Sequence, residues 1–145
     1  MADNIAKIPP QNTEAEQSIL GSLMIDKDAI IKVADILSAD DFYRQDHGEI
    51  YTDILQLFEN RKPIDVVTLT DELEKAKKLK NVGGASYITN LVNSVPTAAH
   101  ITTYATIVHQ KATLRRLIST ASQIAEFGFD ETSDRRGDRR KGDLL

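Results

Sequence analysis

The side chains that could carry acid–base or metal chemistry in this sequence are few. His47 lies between Asp46 and Glu49, a grouping that suits proton transfer, and its H-x-E spacing matches the first half of the zinc-deaminase pattern. The second half of that pattern needs a cysteine pair, and the chain contains no cysteine. We therefore interpret His47 as a polar residue at a helix end.

The other two histidines do not have the spacing of a metal site. His100 and His109 are nine residues apart, which places them about half a turn out of phase on one helix. The adjacent carboxylates Asp40 and Asp41 also diverge, and aspartate is common in turns because it hydrogen-bonds to nearby backbone. We predict no catalytic residue and no metal site, and structural roles for both aspartates.

Composition narrows the class of protein further. The 145 residues are 41% hydrophobic and 28% charged, values typical of one globular domain that folds without disulfides. Neither G-x-x-x-x-G-K-[ST] nor G-x-G-x-x-G occurs, so we expect no cofactor in this chain. The start lacks the features of a signal peptide, and no run of about 18 apolar residues is present to span a bilayer. These features predict a cytoplasmic protein with no membrane partner.

The balance of charge bears on nucleic-acid binding. A formal net charge of −4 argues against a surface that neutralises many phosphates, so any contact with DNA is expected to be indirect. One segment near the end is rich in basic residues, namely Arg135, Arg136, Arg139, Arg140 and Lys141. We interpret residues 132–145 as a disordered tail, and the alternative is a segment that steers charged partners.

The elements that would position these side chains are predicted to be helices throughout. Residues 1–12 form an extended lead-in, because Pro9 and Pro10 disfavour helix. Thr13 and Glu16 have the spacing of a capping box at the start of the first helix. The apolar residues of that helix recur at helical spacing: Ala15, Ile19, Leu20, Leu23 and Met24.

Two more helices are expected next. Asp26 has a side chain suited to cap a short helix that ends near Ser38. The buried face of this helix is predicted to be Ile30, Val33, Ala34 and Leu37. Phe42 and Tyr43 then fold back onto the core from a loop, and Pro63 closes the third helix. Its apolar positions are Ile50, Tyr51, Ile54, Leu55 and Phe58.

The segment 64–70 is ambiguous, since its β-branched residues favour strand. We predict a fourth helix there, because Asp65 is suited to cap it and no second strand candidate is present to pair with it. Its apolar positions are Val66, Leu69, Leu73 and Ala76. Gly83 and Gly84 then break the chain and begin a fifth helix, which must stop before Pro96.

The last predicted helix is unusually long. No glycine or proline occurs from Thr97 to Phe127. Gly128 has the position of a left-handed residue at the helix end, where Phe129 would cover Ile124 as in a Schellman motif.

The length of this helix predicts a partner-binding surface. About 30 residues form a rod of roughly 45 Å, longer than the roughly 35 Å expected across a globule of the first hundred residues. The overhanging turns would expose Leu114, Leu117, Ile118, Ala121 and Ile124. The alternative is a bend near Lys111 that packs the second half of the helix onto the same domain.

Short motifs along the chain occur in a characteristic order. They are Ile8-Pro9-Pro10-Gln11, Glu14-Ala15-Glu16-Gln17, Leu20-Gly21, Asp41-Phe42-Tyr43-Arg44, His47, Ile50-Tyr51, Pro63-Ile64-Asp65-Val66-Val67-Thr68, Gly83-Gly84-Ala85-Ser86-Tyr87, Val95-Pro96-Thr97-Ala98-Ala99 and Lys111-Ala112-Thr113-Leu114-Arg115-Arg116-Leu117-Ile118. In these motifs the chain resembles the N-terminal domain of bacterial replicative DNA helicases of the DnaB type. The resemblance covers about residues 8–130.

The resemblance implies an ATP-driven hexameric parent enzyme whose motor, with its ATP and Mg, lies beyond this chain. This piece would be the collar, with a globular helical subdomain at 13–96 and a long helix at 97–131 as the first arm of a hairpin. In the family, hairpins of neighbouring subunits pair, so that six domains form a trimer of dimers. The collar also binds the helicase-binding domain of DnaG-type primase, and the helicase loader is a further associated partner.

The resemblance also implies functional residues. Glu14, Tyr87, Ile118 and Ile124 resemble family positions linked to the primase interaction. The self-association surface would consist of Leu114, Leu117, Ile118, Ala121 and Ile124. Each primase position has a structural alternative: Glu14 favours a helix N-terminus, Tyr87 packs its ring, and the two isoleucines lie in a hairpin or dimer core.

The end of the chain departs from the family pattern. Residues 132–145 have almost no apolar face, which is typical of a truncated chain with a foreign or unstructured tail. Our leading hypothesis is a non-catalytic assembly and primase-binding module. The rival is a direct DNA-binding module that uses Arg115, Arg116 and the basic tail, and a third hypothesis is a free-standing loader-like or regulatory homologue.

Overall fold

The computed structural model describes residues 7–131, and the regular elements in this range are all helical. The α-helices are α1 (Thr13–Ile25), α2 (Ala29–Val33), α3 (Gln45–Glu59), α4 (Val66–Lys75), α5 (Gly84–Asn93) and α6 (Ile101–Phe129). Short 3-10 turns occupy Ala39–Asp41 and Lys80–Val82. The predicted all-α class, with five short helices followed by a long one, is confirmed. The predicted tail, 132–145, lies outside the described residues.

The core forms where α1 packs against α5 and α3, and where α4 packs against α3 and α5. The largest fully buried side chains are Tyr51, Ile19, Leu20, Leu23, Ile30, Ile50, Ile54, Leu57, Leu69, Leu73, Ile88 and Leu91. Tyr51 is polar at one end, and its hydroxyl donates to the carbonyl of Leu37 at 2.9 Å. Burial raises the pKa of Tyr51 to about 12, so the phenol stays a neutral donor inside the core.

The contact between α1 and α5 depends on a residue without a side chain. A Cβ added to Gly21 would lie 2.2 Å from the carbonyl oxygen of Leu91 and 2.5 Å from a methyl group of Val95. Because the nearest atom is backbone, it cannot rotate away. Gly21 therefore sets how closely the two helices approach.

The beginnings of the first helices differ from the predictions. Asn12, one residue before the predicted cap Thr13, accepts from the backbone N–H of Ala15 at 2.9 Å and is the N-cap of α1. Glu16 is buried and is not part of a capping box with Thr13. The predicted capping box was wrong by one residue because an asparagine at 12 is as good a cap as a threonine.

The second helix is shorter than predicted. α2 begins after Asp28 and ends at Val33, well before Ser38, and Ala34 is exposed. Asp26 instead accepts from the backbone N–H of Asp28, which makes a local turn. The other three residues of the buried face predicted for this helix, Ile30, Val33 and Leu37, are buried.

The region around α3 is partly as predicted. Phe42 is buried, whereas Tyr43 is 40% exposed and does not fold onto the core. On α3, Leu57 is buried in the core, whereas Phe58 is 39% exposed. The predicted apolar face of α3 was therefore wrong at this position by one residue.

The fourth and fifth helices form as predicted. Asp65 and Thr68 make a reciprocal capping box, since each side chain bonds to the backbone N–H of the other residue. This local pairing favours helix over strand for the β-branched segment. Of the predicted face of α4, Leu69 and Leu73 are buried, and Ala76 is exposed as the C-cap. Gly83 has φ of +105° and precedes α5, which ends at Asn93 before Pro96.

The sixth helix continues past Lys111 without a break in its helical assignment, from Ile101 to Phe129. It begins at Ile101, since Thr97 accepts from the backbone N–H of Ala99 in a separate turn. The predicted left-handed ending at Gly128 was wrong: this residue is helical, and Phe129 is 86% exposed and does not cover Ile124. No atom lies within 4 Å of a Cβ added to Gly128, so neighbouring groups do not prevent this residue from adopting the right-handed helical conformation.

The chain divides after Thr113 into two compact units. The first contains α1 to α5 and the first turns of α6, where Ile101, Ala105, Val108 and Ala112 are buried. The domain boundaries given above stay predictions. Within residues 7–131 no helix combines the length and the apolar character needed to cross a bilayer.

Replacement of Gly21 by alanine should destabilise the bundle. The added methyl group meets backbone of α5, so the helices must separate, and we expect a loss of about 1–3 kcal/mol in the free energy of unfolding. Gly128→Ala is the matched control, because no atom lies within 4 Å of a Cβ there and alanine favours helix by about 0.5–1 kcal/mol. Urea unfolding followed by circular dichroism measures both. Equal midpoints for Gly21→Ala and the parent would contradict the packing described.

Candidate functional site

A series of hydrogen-bonded side chains, Glu16, His47 and Tyr87, links α1, α3 and α5. We refer to these three residues as the polar chain. It begins at Glu16, which is 1% exposed, and whose carboxylate accepts from the backbone N–H of Tyr43 at 2.7 Å and of Arg44 at 3.4 Å. The other partner of this carboxylate is the Nδ1 atom of His47 at 2.7 Å. Glu16 therefore holds the loop before α3 against α1.

His47 is the middle member of the chain and is fully buried. A carboxylate can only accept, so Nδ1 of His47 carries a proton and donates to Glu16. The other ring nitrogen, Nε2, is 2.6 Å from the hydroxyl of Tyr87. With a neutral ring, Tyr87 donates its hydroxyl proton to Nε2, and every polar atom of the imidazole is then paired.

Tyr87, the outer member, is held on several sides. Gln17 Nε2 donates to the Tyr87 hydroxyl at 3.3 Å. The guanidinium carbon of Arg44 lies 5.4 Å from the centre of the Tyr87 ring, within the range of a cation–π contact. A Cβ at Gly83 would lie 2.8 Å from Cβ of Tyr87, so glycine leaves the space that this side chain occupies.

The charges around the chain are paired with one another. Arg44 donates two hydrogen bonds to Asp46, at 3.0 Å and 2.5 Å, and this hydrogen bonding raises the pKa of Arg44. Burial acts to raise the pKa of Asp46, yet the hydrogen bond and charge of Arg44, together with the hydrogen bond from the backbone N–H of His47, lower it on balance. Asp46 also accepts from the backbone N–H of His47 at 2.8 Å, in the first turn of α3.

A surface cavity of about 360 Å³ lies beside this polar chain. Tyr43, Arg44, Glu49 and Lys78 are among the residues that line it. Both signs of charge line the cavity, so it has no clear preference for an anion or a cation.

Two further buried carboxylates lie elsewhere in the bundle. Burial raises the pKa of Asp53, opposed by Lys78, whose Nζ is 3.5 Å from one carboxylate oxygen. Asp41 accepts from the backbone N–H of Ser38 and pairs with Nδ1 of His109 at 3.1 Å. Asp41 thus has the structural role predicted for it, in the 3-10 turn. Within the described range, 7–131, no three His, Cys, Asp or Glu residues are grouped so that they could hold a metal ion.

The residues predicted to bind primase fall in different places. Glu14 is exposed in the first turn of α1 and is outside the polar chain, whereas Tyr87 is its outer member. Ile118 and Ile124 lie in the second unit and are 53% and 39% exposed. The roles of these four residues in primase binding stay predictions.

The residues predicted for self-association are all exposed in the last part of α6. They are Leu114, Leu117, Ile118, Ala121 and Ile124, of which Leu117 is 65% exposed. They recur at intervals of three and four residues, so they share one face of the helix. Their exposure is the condition that a partner-binding face requires.

Sequence reasoning missed most of the polar chain. It interpreted His47 as a helix-end residue, assigned Glu16 to a cap, and gave Gln17 and Arg44 no role beyond their place in the motifs. One signal was present: Glu16 precedes Ile19 and Leu20 by three and four residues, and therefore lies on the buried face of α1. A carboxylate at such a position needs a buried partner.

The fold has a close match among solved structures. The crystal structure of the N-terminal domain of DnaB helicase from Mycobacterium tuberculosis superposes with a TM-score of 0.88 at 39% identity, over 94% of this chain and 96% of that one. The fold is therefore that of a helicase N-terminal domain.

Sequence comparisons give the family. The model of the DnaB-like helicase N terminal domain matches residues 8–110. The chain is 47% identical over 131 residues to replicative DNA helicase DnaC of Bacillus subtilis and 44% identical over 123 residues to replicative DNA helicase DnaB of Geobacillus stearothermophilus. The chain belongs to the DnaB-like helicase N-terminal domain family.

The chain corresponds to only part of these relatives. The matches cover 88% and 85% of this chain but 29% and 27% of the two helicases.

Replacement of Glu16 by alanine should strongly destabilise the bundle. It leaves the Nδ1–H of His47 and the N–H of Tyr43 without their acceptor inside the protein, and we expect a loss of roughly 3–5 kcal/mol in the free energy of unfolding. Glu14→Ala, an exposed glutamate on the same helix, is the matched control and should change stability by less than about 0.5 kcal/mol. Thermal melts of the two variants make the comparison. Similar melting temperatures for both would show that the buried carboxylate contributes little.

Proposed function

We propose that this chain is the N-terminal collar domain of a replicative DNA helicase, where it assembles subunits and docks primase. Membership of the family supports the helicase context. The observation that carries the assembly role is the row of exposed apolar residues on α6 between Leu114 and Ile124. Covering exposed apolar surface of this kind with a partner lowers the free energy and so favours association.

The proposed assembly is a dimer that becomes part of a hexamer in the parent protein. The row Leu114, Leu117, Ile118, Ala121 and Ile124 would pack against a sister subunit. Primase of the DnaG type would contact Glu14, Tyr87, Ile118 and Ile124, and the helicase loader is a further proposed partner. The protein would act in the cytoplasm, and ATP and Mg would bind only the motor of the parent helicase.

The proposed mechanism is allosteric and needs no chemistry in this domain. A partner that binds one arrangement of the collar better than another shifts the equilibrium between them. The shift is limited by the difference between the two binding free energies. Primase bound to the collar would in this way bias the motor.

Replacement of Ile118 by glutamate should weaken both self-association and primase binding. A charge placed on the apolar row must be desolvated when the partner docks, and we expect affinity to fall by about thirtyfold, or about 2 kcal/mol. Thr120→Glu is the matched control, because it adds the same charge about 200° around the same helix. Sedimentation of the chain alone, and mixed with the C-terminal domain of its own primase, measures both effects.

Two results would count against this proposal. Monomers that ignore primase, both for the parent and for Ile118→Glu, would remove the partner-binding role. Single-stranded DNA binding that falls steeply with salt would favour direct DNA contact through Arg115 and Arg116 instead. The assembly role predicts negligible DNA binding at moderate salt.

A further inference from the structure

We infer that Glu16 and His47 are positioning residues that lock the side chain of Tyr87 in place for partner docking. The inference rests on the proposed function, since it assigns a purpose to Tyr87 only if a partner docks there. It extends that function inward, from a surface residue to two side chains that no partner can reach.

The composition of the polar chain points beyond packing. Removing a carboxylate and an imidazole from water carries a large desolvation penalty, and apolar side chains of similar size often join helices equally well. Here Glu16 and His47 are at most 1% exposed. Their hydrogen bonds are not confined to the core, because the last residue of the polar chain is Tyr87, which is half-buried.

Contacts from α1, from α3 and from the loop before α3 restrict the side chain of Tyr87. The hydroxyl is fixed by the 2.6 Å bond to Nε2 of His47, and the two rings are within 7° of parallel. Gln17 holds the hydroxyl from α1, and Arg44 covers the ring face. These contacts favour one rotamer of the Tyr87 side chain in the free chain.

Locking an aromatic side chain in advance favours binding. An unrestrained side chain loses conformational freedom when an interface immobilises it, and this loss weakens binding. A preorganised ring avoids most of this loss, and aromatic anchors contribute strongly to interfaces. Glu16 contributes by holding the His47 ring in the orientation that places Nε2 at 2.6 Å from the Tyr87 hydroxyl.

His47→Asn is the variant that separates positioning from folding. The asparagine amide retains a donor for Glu16 but is too short to reach Tyr87. The matched control is His109→Asn, the same change at another histidine whose Nδ1 pairs with a buried carboxylate, that of Asp41. Thermal melts of both variants verify that the bundle is folded.

A double-mutant cycle with Tyr87→Phe then tests whether His47 acts through Tyr87. Binding to the C-terminal domain of the chain's own primase is measured by calorimetry. We expect His47→Asn and Tyr87→Phe each to weaken binding by about fivefold, and the double variant also by about fivefold, since both changes release the same ring. His109→Asn should bind like the parent. Independent losses, which multiply to about twenty-fivefold, would overturn the inference.

Nuclear magnetic resonance of the free chain gives a second readout that needs no partner. In the parent we expect the Nδ1–H of His47 to be hydrogen-bonded and Tyr87 to adopt a single rotamer, and in His47→Asn we expect rotamer averaging of Tyr87. An equally ordered Tyr87 in His47→Asn would overturn the inference even if primase binds. A parent chain that does not bind primase would overturn the proposed function and the docking role with it, and the resonance data would still decide whether His47 orders Tyr87.

Discussion

The carboxylate of Glu16 lies where water does not reach, and a buried carboxylate is tolerated only when N–H groups surround it. Those groups come from the loop before α3 and from the ring of His47, so the position of α3 relative to α1 is fixed by polar contacts as well as by the apolar core. His47 passes the constraint on to α5 through Tyr87. Three helices thus share one requirement, and the loss of one member leaves the others unpaired.

The apolar packing of the core imposes a second geometric requirement, which is the close approach of α1 to α5. Gly21 lets α1 approach the backbone of α5 more closely than any side chain would allow. At this separation Gln17, one turn earlier on α1, reaches the hydroxyl of Tyr87. Close packing and the hydrogen bonds of Tyr87 are therefore linked, and the geometry of the surface around Tyr87 depends on a glycine in the core.

Features set by neighbours in sequence were predictable, and features set by distant residues were not. The cap at Asp65, the break at Gly83 and the apolar spacing along each helix all act within a few residues, and the prediction of six helices followed from them. The predicted cap of α1 was wrong by one residue because the side chains of Asn12 and Thr13 can both accept a hydrogen bond from a backbone N–H at the helix start. The bond between Glu16 and His47 spans 31 positions and that between His47 and Tyr87 spans 40, and no local pattern records such pairings. Gly128 was misjudged because a glycine permits a left-handed ending without imposing one.

The two glycines that open α5 differ in how far they tolerate replacement. Both have positive φ, +105° at Gly83 and +76° at Gly84, but only at Gly83 would a side chain collide with Tyr87. Gly84 has open space around it, so asparagine or aspartate, which enter the left-handed region most readily, fit there at modest strain. Sequence drift at the second position is consequently compatible with an intact Tyr87 surface, whereas drift at the first displaces that ring.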